Sequence, residues 1–255
     1  MISKNQIKFV RSLHQAKFRR TENLFIAEGP KIISELLISK FSVKTIYAYT
    51  DWILENKKRL PEKVEIFEVN NKELQRISTL VTPNQVLAIV SKPNFDTPNT
   101  SQPEDLTIIL DDIKDPGNMG TIIRTADWYG IHHIICSENS VDIFNPKVIQ
   151  ASMGSVSRVS VNYLNLSEFL SQLPNEVNVY GALLEGKDIY KTKLVNKGYL
   201  LIGSESHGIS EELKNFVTDK ITIPPFSHES VGAESLNASV ATAIICSEFR
   251  RQSKY

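Results

Sequence analysis

What this 255-residue sequence lacks excludes several classes of protein. It has two cysteines, Cys136 and Cys246, which are far apart and outside any CxxC or Cys/His spacing. Neither a disulfide framework nor a metal site is therefore predicted. No uninterrupted apolar run reaches the length of a membrane span, and residues 1–6 lack the apolar core of a signal peptide. We expect a cytoplasmic protein with reduced thiols, no metal ion and no membrane partner.

The net charge of zero conceals an uneven distribution of charge along the chain. Residues 1–92 contain 16 Lys and Arg against 9 Asp and Glu, whereas residues 93–255 contain 13 against 20. The first 20 residues contain no acidic side chain and six basic ones: Lys4, Lys8, Arg11, Lys17, Arg19 and Arg20. This asymmetry favours a polyanionic partner, such as a nucleic acid, for the N-terminal part, with Lys17, Arg19 and Arg20 as candidate contacts to it. A solvated helix face is the alternative, and charge alone leaves it open.

A proline-rich stretch at residues 93–104 predicts a linker between two domains. Before it, residues 1–92 alternate between strand-like and helix-like segments, which predicts a small α/β domain. The predicted strands are 44–49, 64–69 and 86–90, and the predicted helices are 6–16, 31–38 and 72–80.

Residues 105–255 show a stricter alternation of apolar runs and amphipathic segments. The predicted strands are 106–110, 133–136, 177–183, 199–203 and 220–223; the predicted helices are 119–129, 145–151, 167–173, 210–216 and 237–251. Alternation of this kind predicts an α/β fold, namely a mainly parallel sheet with helices on both faces.

The first of three informative segments is Asp115–Ala126, a turn sequence followed by a predicted helix. Asn118 is suited to cap that helix, and Gly120 and Arg124 fall one turn apart on the same face. Arg124 would then stand above a helix N-terminus that an anionic phosphate can approach. The alternative is an ordinary capped helix, with Arg124 in a salt bridge to Asp127 or another carboxylate.

The other two segments follow predicted strands. In Leu201–Gly208, Gly203 permits close approach of the backbone to a ligand and Glu205 can accept hydrogen bonds, although a plain strand-to-helix loop is also possible. The third segment joins Ile223-Pro224-Pro225 to Glu234–Val240 and offers Ser235 and Asn237 at the start of the last helix. Ser235 could equally be only the cap of that helix.

In order and spacing the three segments resemble the signature of the SpoU/TrmH family of RNA ribose 2′-O-methyltransferases. The resemblance implies a trefoil knot in the C-terminal domain, a ribosomal-protein-like substrate-binding domain before it, S-adenosyl-L-methionine as cofactor, and a homodimer. It makes ribosomal RNA the first expected substrate and transfer RNA the second. A catalytically silent RNA-binding protein of the same fold is the rival from another functional class.

Site residues follow from the same resemblance. It implies catalytic roles for Asn118, Arg124, Glu205, Ser235 and Asn237, and cofactor contacts at Leu183, Gly203, Ile223 and Leu236. The loop before Ser235 is a few residues longer than the family's usual one. In the family, the role of base falls on the residue that matches Arg124. A guanidinium, however, keeps its proton at neutral pH because its pKa is very high. We therefore interpret Arg124 as holding the adjacent phosphate and stabilising developing alkoxide charge, with a proton relay left open.

Overall fold

The computed structural model describes residues 2–95, 105–226 and 234–254. Two compact units divide these residues: the first extends through Asn94 and includes Asp142–Arg158, and the second comprises Phe95–Val141 and the chain from Val159 onward. The predicted linker lies outside the described residues from residue 96 on. None of the helices in the described ranges has the length and apolar composition that a bilayer span requires.

The first unit contains a mixed four-stranded sheet. Its strands are β1 Leu24–Glu28, β2 Val43–Ala48, β3 Glu65–Glu68 and β4 Val86–Ser91, in the order β1-β4-β2-β3. Only the β2–β3 pair is parallel. The central strand β4 is apolar almost throughout and buried up to Val90, whereas the edge strand β3 is mostly exposed. The three predicted strands are confirmed, and β1 was not predicted.

Five helices from the N-terminal part accompany this sheet: α1 Lys4–Ser12, α2 Ala16–Glu22, α3 Pro30–Leu37, α4 Thr50–Asn56 and α5 Asn71–Gln75. Capping boxes begin two of them, with Ser3 and Gln6 at α1 and Asn70 and Glu73 at α5. The helices predicted at 6–16, 31–38 and 72–80 are confirmed, with shifted ends, as α1, α3 and α5. Helices α2 and α4 were not predicted.

The segment Asp142–Arg158 packs with the N-terminal residues, although the sequence pattern assigns it to the domain 105–255. It contains helix α7, Pro146–Ser152. Phe144 packs on Phe25 of β1 with ring centroids 4.8 Å apart, and Arg158 pairs with Glu35 of α3 at 2.5 Å. These aromatic and ionic contacts are long-range, which explains why no local pattern predicts them.

The second unit is built on a six-stranded sheet in which every pairing is parallel. The strands are β5 Leu106–Leu110, β6 His133–Ser137, β7 Ser160–Leu164, β8 Val179–Asp188, β9 Gly198–Ile202 and β10 Asp219–Thr222, in the order β10-β8-β9-β5-β6-β7. The predicted parallel sheet is confirmed. Strand β7 was not predicted, because polar residues interrupt its short apolar pattern.

Helices cover both faces of this sheet, since every residue of β5 and β9 is buried and alternate residues of a strand point to opposite faces. The helices are α6 Pro116–Trp128, α8 Leu166–Ser171, α9 Glu211–Lys214 and α10 Ala238–Lys254. Helices α8 and α9 share a core cluster with Ile109, Tyr199 and Leu201, and α6 packs along α10. The helices predicted in these regions are confirmed.

Strand β8 has an irregularity that matters for the site. Gly181 pairs with Leu201 of β9 and with Lys220 of β10, but the β10 pairing resumes only at Lys187. Residues 182–186 therefore lie outside the regular pairing with β10. A side chain at Gly186 would come within 2.6 Å of the Ile221 backbone, so glycine is required where the pairing resumes.

Candidate active site

The predicted catalytic residues lie on three segments of the second unit. Asn118 is in the first turn of α6, which follows β5; Glu205 is in the loop after β9; and Asn237 immediately precedes α10. Strands β5 and β9 are parallel neighbours, so their carboxyl ends lie at the same edge of the sheet, where α/β proteins bind ligands.

The amide of Asn118 joins these segments. Its Nδ2 donates a hydrogen bond to Oε1 of Glu205, and its Oδ1 accepts one from Nδ2 of Asn237 at 2.9 Å. A carboxylate could not donate to Glu205 and a lysine could not accept from Asn237, so the bonding pattern calls for an amide at this position. Asn118, Glu205 and Asn237, which are distant in sequence, are thereby brought into one hydrogen-bonded set, the Asn118 group.

Asn237 also caps α10. Its Oδ1 accepts from the backbone N–H of Ser239 at 3.0 Å and of Val240 at 3.3 Å, and from the Ser239 hydroxyl at 2.7 Å. The alternative that Ser235 caps this helix is wrong. Ser235 is exposed, and no hydrogen bond joins its side chain to another residue in the described ranges.

The predicted cap at Asn118 is also wrong. Asp115 is the N-cap of α6, and its Oδ1 accepts the N–H of Asn118 at 2.8 Å. The helix begins three residues earlier than predicted because Pro116, with its fixed φ and missing N–H, suits the first helical position. This shift leaves the Asn118 side chain available for Glu205 and Asn237.

Arg124 lies on the same helix and is exposed. No ion pair or hydrogen bond joins its guanidinium to another residue among those described, and the alternative salt bridge with Asp127 is not formed. Gly120, one turn earlier, is buried. Arg124 thus presents an uncompensated positive charge that an approaching phosphate can bind.

The loop after β9 folds back on itself. Ser204 and Gly208 exchange backbone hydrogen bonds of 3.2 and 2.8 Å, leaving Glu205 exposed at the turn. A Cβ atom on Gly203 would lie 2.0 Å from the carbonyl carbon of Gly208. Glycine is therefore required at position 203 by the protein's own backbone, whereas the sequence argument attributed it to the approach of a ligand.

The other predicted cofactor contacts are apolar residues near neighbouring strand ends. Leu183 lies in the irregular part of β8 and packs partly on the core, Ile223 directly follows β10, and Leu236 is 46% exposed before α10. Such side chains can cover an aromatic ring while backbone groups at the strand ends supply hydrogen bonds. Most of the predicted long loop before Ser235 lies outside the described residues.

Of the predicted RNA contacts, Lys17 and Arg20 are exposed on α2, but Arg19 is 2% exposed. Its Nη2 pairs with Oδ2 of Asp142 at 2.8 Å, and its Nη1 donates to the carbonyls of Leu13 and His14. The prediction for Arg19 is therefore wrong, because every one of these contacts turns the guanidinium inward. Charge counting alone cannot distinguish it from its neighbours.

Asp111 is a site residue that the sequence analysis missed. It is 8% exposed, and its Oδ2 accepts the N–H of Ser210 at 2.9 Å, which ties the loop after β9 to the end of β5. The signal was an acidic pair, Asp111-Asp112, directly after the apolar run Ile108–Leu110. Among the described residues, no group of three or more His, Cys, Asp or Glu could hold a metal ion.

Comparison with known protein families bears directly on this site. The SpoU rRNA methylase family matches residues 105–247, which is more than half of the chain and includes every member of the Asn118 group. The chain belongs to the SpoU rRNA methylase family. Residues 4–88 match a second family, the MRM3-like substrate binding domain.

Individual relatives agree with this membership. The chain is 28% identical, over 97% of both lengths, to a protein of Bacillus subtilis named 23S rRNA (guanosine(2553)-2′-O)-methyltransferase RlmP. Among solved structures it is similar to a protein of Porphyromonas gingivalis assigned to the TrmH family of RNA methyltransferases, with 40% identity, a TM-score of 0.89 and 99% of each chain covered. An AdoMet-bound rRNA methyltransferase from Sinorhizobium meliloti matches with 29% identity and a TM-score of 0.86, over 98% of this chain and 96% of that one.

Proposed function

We propose that this protein transfers a methyl group from S-adenosyl-L-methionine to a ribose 2′-hydroxyl of ribosomal RNA. One observation carries the proposal: Asn118, whose amide joins Glu205 to Asn237, lies on the same helix as the exposed Arg124, which has no partner among the described residues. A silent RNA-binding protein would have no need for this hydrogen-bonded group of polar side chains on the helix that also bears an exposed cation. The family membership and the relatives' names support the same chemistry.

Arg124 binds the phosphate next to the target ribose and stabilises negative charge on the 2′-oxygen as its proton leaves. A guanidinium stays protonated at neutral pH and is therefore a poor base, so the contribution of Arg124 is electrostatic. Its exposed position, with no partner in the described ranges, keeps this charge available to the RNA.

Asn118, Glu205 and Asn237 act by holding the three active-site segments in fixed positions. In-line displacement at a methyl group requires close alignment of the attacking and leaving atoms, and restraint of this kind can supply much of the rate enhancement. Ser235 is exposed beside Leu236, so its hydroxyl is available to the substrate.

The residues fit the expected cofactor. S-Adenosyl-L-methionine supplies an electrophilic methyl group when bound. Leu183, Ile223 and Leu236 would cover its adenine ring, and the backbone that follows Gly203 would offer hydrogen bonds. Leu183 lies in the irregular part of β8, Gly203 and Ile223 directly follow β9 and β10, and Leu236 precedes α10. Strands β8, β9 and β10 are neighbours in the sheet.

We also propose that residues 1–92 form an RNA-binding domain, that 93–104 form a linker, and that 105–255 form the methyltransferase domain. The match of residues 4–88 to a substrate binding domain and the exposed Lys17 and Arg20 support the first assignment. Ribosomal RNA is preferred over transfer RNA because the similar proteins of Bacillus subtilis and Sinorhizobium meliloti are named for it. A ribosomal RNA substrate favours action in the cytoplasm. The protein's two free, buried thiols are consistent with that reducing compartment.

Two further features are proposed from the family, namely the trefoil knot and the homodimer. The neighbouring positions of β8, β9 and β10, joined by long connections, are compatible with a knotted path. Support for the dimer comes from Trp128 on α6, which is 84% exposed, and from Leu236 and Val240, each 46% exposed near the start of α10. Large exposed apolar side chains on packed helices are typical of a surface that a second copy covers.

The test is methyl transfer by the purified full-length chain. We expect radioactive methyl groups from labelled S-adenosyl-L-methionine to enter ribosomal RNA, at a position that resists alkaline cleavage because its 2′-hydroxyl is blocked. Transfer RNA from the same cells is the matched alternative substrate. Incorporation only into transfer RNA would change the substrate assignment, and RNA binding without incorporation into either RNA would favour the silent protein.

A further inference from the structure

A polar cavity of about 400 Å³ lies in the second unit beside the Asn118 group and has no role in the mechanism above. It is enclosed by the loops that follow β5, β6 and β9. Its lining includes Asp111, Asp112, Lys114, Asn139, His207 and Ser210. Its size falls within the range of about 300–1,000 Å³ that is usual for small-molecule sites.

Backbone and side-chain hydrogen bonds hold the walls of the cavity in place. Ser137 Oγ accepts the N–H of Asp112 at 2.9 Å, and Lys114 Nζ donates to the carbonyl of Asn139 at 2.7 Å. Oδ2 of Asp111 accepts a hydrogen bond from the N–H of Ser210 in the loop after β9. These contacts tie the three loops together, so the cavity is preformed and a ligand need not order its walls.

The cavity opens next to the catalytic residues. Its lining residues Ser204 and His207 flank Glu205 in the loop after β9. On the other side, Lys114 immediately precedes Asp115, the cap of the helix that bears Asn118 and Arg124. The cavity therefore borders the two segments that carry Glu205 and Asn118.

The charges of the lining disfavour a phosphate. Lys114 is paired with Asp112 at 2.6 Å, and the buried carboxylate of Asp111 adds negative charge. An anion would therefore meet as much repulsion as attraction. A neutral planar ring with hydrogen-bond donors and acceptors at its edge suits a lining of amide, imidazole and hydroxyl groups better.

His207 and Asn139 are the lining residues best able to recognise such an edge. Both are exposed. The hydroxyl of Ser206 bonds Nδ1 of His207 at 2.8 Å, and no hydrogen bond engages its Nε2 among the residues described. In the part of the chain that the structure describes, no hydrogen bond engages the side-chain amide of Asn139 either, because Lys114 bonds to its backbone carbonyl.

We propose that this cavity holds the base of the nucleotide whose ribose is methylated, unstacked from its neighbours and recognised by His207 and Asn139. The assignment rests on the proposed function. It is supported by a general property of RNA recognition: proteins that select one nucleotide read an unstacked base by hydrogen bonds to its edge. His207 and Asn139 are specificity residues here and take no part in the chemical step.

The experiment compares kcat/KM for the parent RNA with kcat/KM for RNAs in which only the base of the methylated nucleotide is replaced. We expect base replacement to cost the unchanged protein at least about tenfold. In His207→Ala and Asn139→Ala, the parent RNA should lose activity while the replaced RNAs lose little, so that discrimination falls at least about fivefold. The affinity for S-adenosyl-L-methionine should not change. Glu138→Ala, an exposed neighbour of Asn139 outside the cavity lining, is the control and should retain full discrimination.

Two results would overturn the assignment. Equal losses on all RNAs in both variants would mean that His207 and Asn139 do not sense the base. Indifference of the unchanged protein to the base would mean that no such pocket operates. Failure of the proposed function is distinguishable, because it would appear as absence of methyl transfer from the unchanged protein to any RNA, and the assignment would fall with it.

Discussion

At the scale of single residues, Asn118 shows how one amide can organise a site. It donates to Glu205 and accepts from Asn237, so each of its two polar atoms is used. Replacement by aspartate would set a carboxylate against Glu205, and replacement by alanine would leave both partners without their hydrogen bond. The residue types in the sequence indicated the members of the group, but only the folded chain shows which atoms are bonded.

Arg124 supplies the first prediction. Arg124→Ala should lower kcat for methyl transfer at least tenfold, a loss of about 1.4 kcal/mol or more in transition-state stabilisation. The melting temperature and the affinity for S-adenosyl-L-methionine should stay unchanged, because the side chain is exposed and has no partner among the described residues. Steady-state kinetics, calorimetry and thermal unfolding provide the measurements. Arg124→Lys tests whether a point charge suffices. More than a tenth of the original turnover in the alanine variant would contradict the electrostatic role.

Gly203 supplies the second prediction. In Gly203→Ala the new Cβ would lie 2.0 Å from the Gly208 backbone, so the loop that carries Glu205 must move. We expect a destabilisation of about 1–3 kcal/mol, typical of overpacking, together with loss of methyl transfer. Thermal unfolding of the variant measures the first effect. Ser206→Ala, in the same loop, is the control that should leave stability nearly unchanged.

An unchanged melting temperature in Gly203→Ala would show that the loop does not need glycine here. The structure also changes how cofactor binding in this variant is interpreted. Because the distorted loop carries Glu205, a lower cofactor affinity alone would not identify Gly203 as a contact.

At the scale of elements, basic residues that are close in sequence on helix α2 have different roles. Lys17 and Arg20 face solvent, whereas Arg19 is inside and paired with Asp142. A helix advances about 100° per residue, so adjacent positions point in different directions. The basic cluster therefore contains both candidate RNA contacts and a structural ion pair.

The third prediction separates these two roles. Lys17→Ala combined with Arg20→Ala should weaken RNA binding and reduce the slope of log K against log salt by about 1.4–1.8, because each lost phosphate contact contributes about 0.7–0.9. RNA titrations at several salt concentrations give the slope. Arg11→Ala, on the exposed face of α1, shows whether the neighbouring helix contributes. An unaltered slope in the double variant would mean that α2 does not touch the RNA backbone.

The fourth prediction concerns the buried member of the cluster. Arg19→Ala should destabilise the protein by about 3–5 kcal/mol, because it leaves the Asp142 carboxylate without its partner. Chemical denaturation measures this loss, and the salt slope of RNA binding should stay the same. Arg20→Ala is the matched control and should unfold almost as the original protein does. A change of less than about 1 kcal/mol in Arg19→Ala would contradict the structural role.

At the scale of the whole molecule, the fifth prediction concerns the proposed homodimer. Trp128→Glu places a charge on a side chain that is 84% exposed on α6 and that, we propose, a second copy covers. Burial of that charge would be costly, so the dissociation constant should rise at least tenfold, as measured by sedimentation. Leu54→Glu, at a position that is 65% exposed in the first unit, is the control that should leave association unchanged. An equally tight dimer from both variants would exclude α6 from the interface.

Much of the fold was accessible from the sequence because its signals are local. Apolar runs such as Leu106–Leu110 and Tyr199–Ile202 are buried strands, and the amphipathic segments between such runs are helices. The order of the three segments also indicated the family, which the match of residues 105–247 confirms. Strand β7 was not predicted, although Ser160-Val161-Asn162-Tyr163 alternates polar and apolar residues as a half-buried strand does.

The sequence by itself determined the α/β class, the parallel sheet, the family and the residue types around the site, since each depends on periodicity, spacing or composition. Tertiary structure alone decided that Asn118 joins Glu205 and Asn237, that Arg19 faces inward to Asp142, and that Asp142–Arg158 packs with the N-terminal residues. The reason is physical. A hydrogen bond between residues 87 or 119 positions apart depends on where both segments lie in space, and no local pattern records that distance.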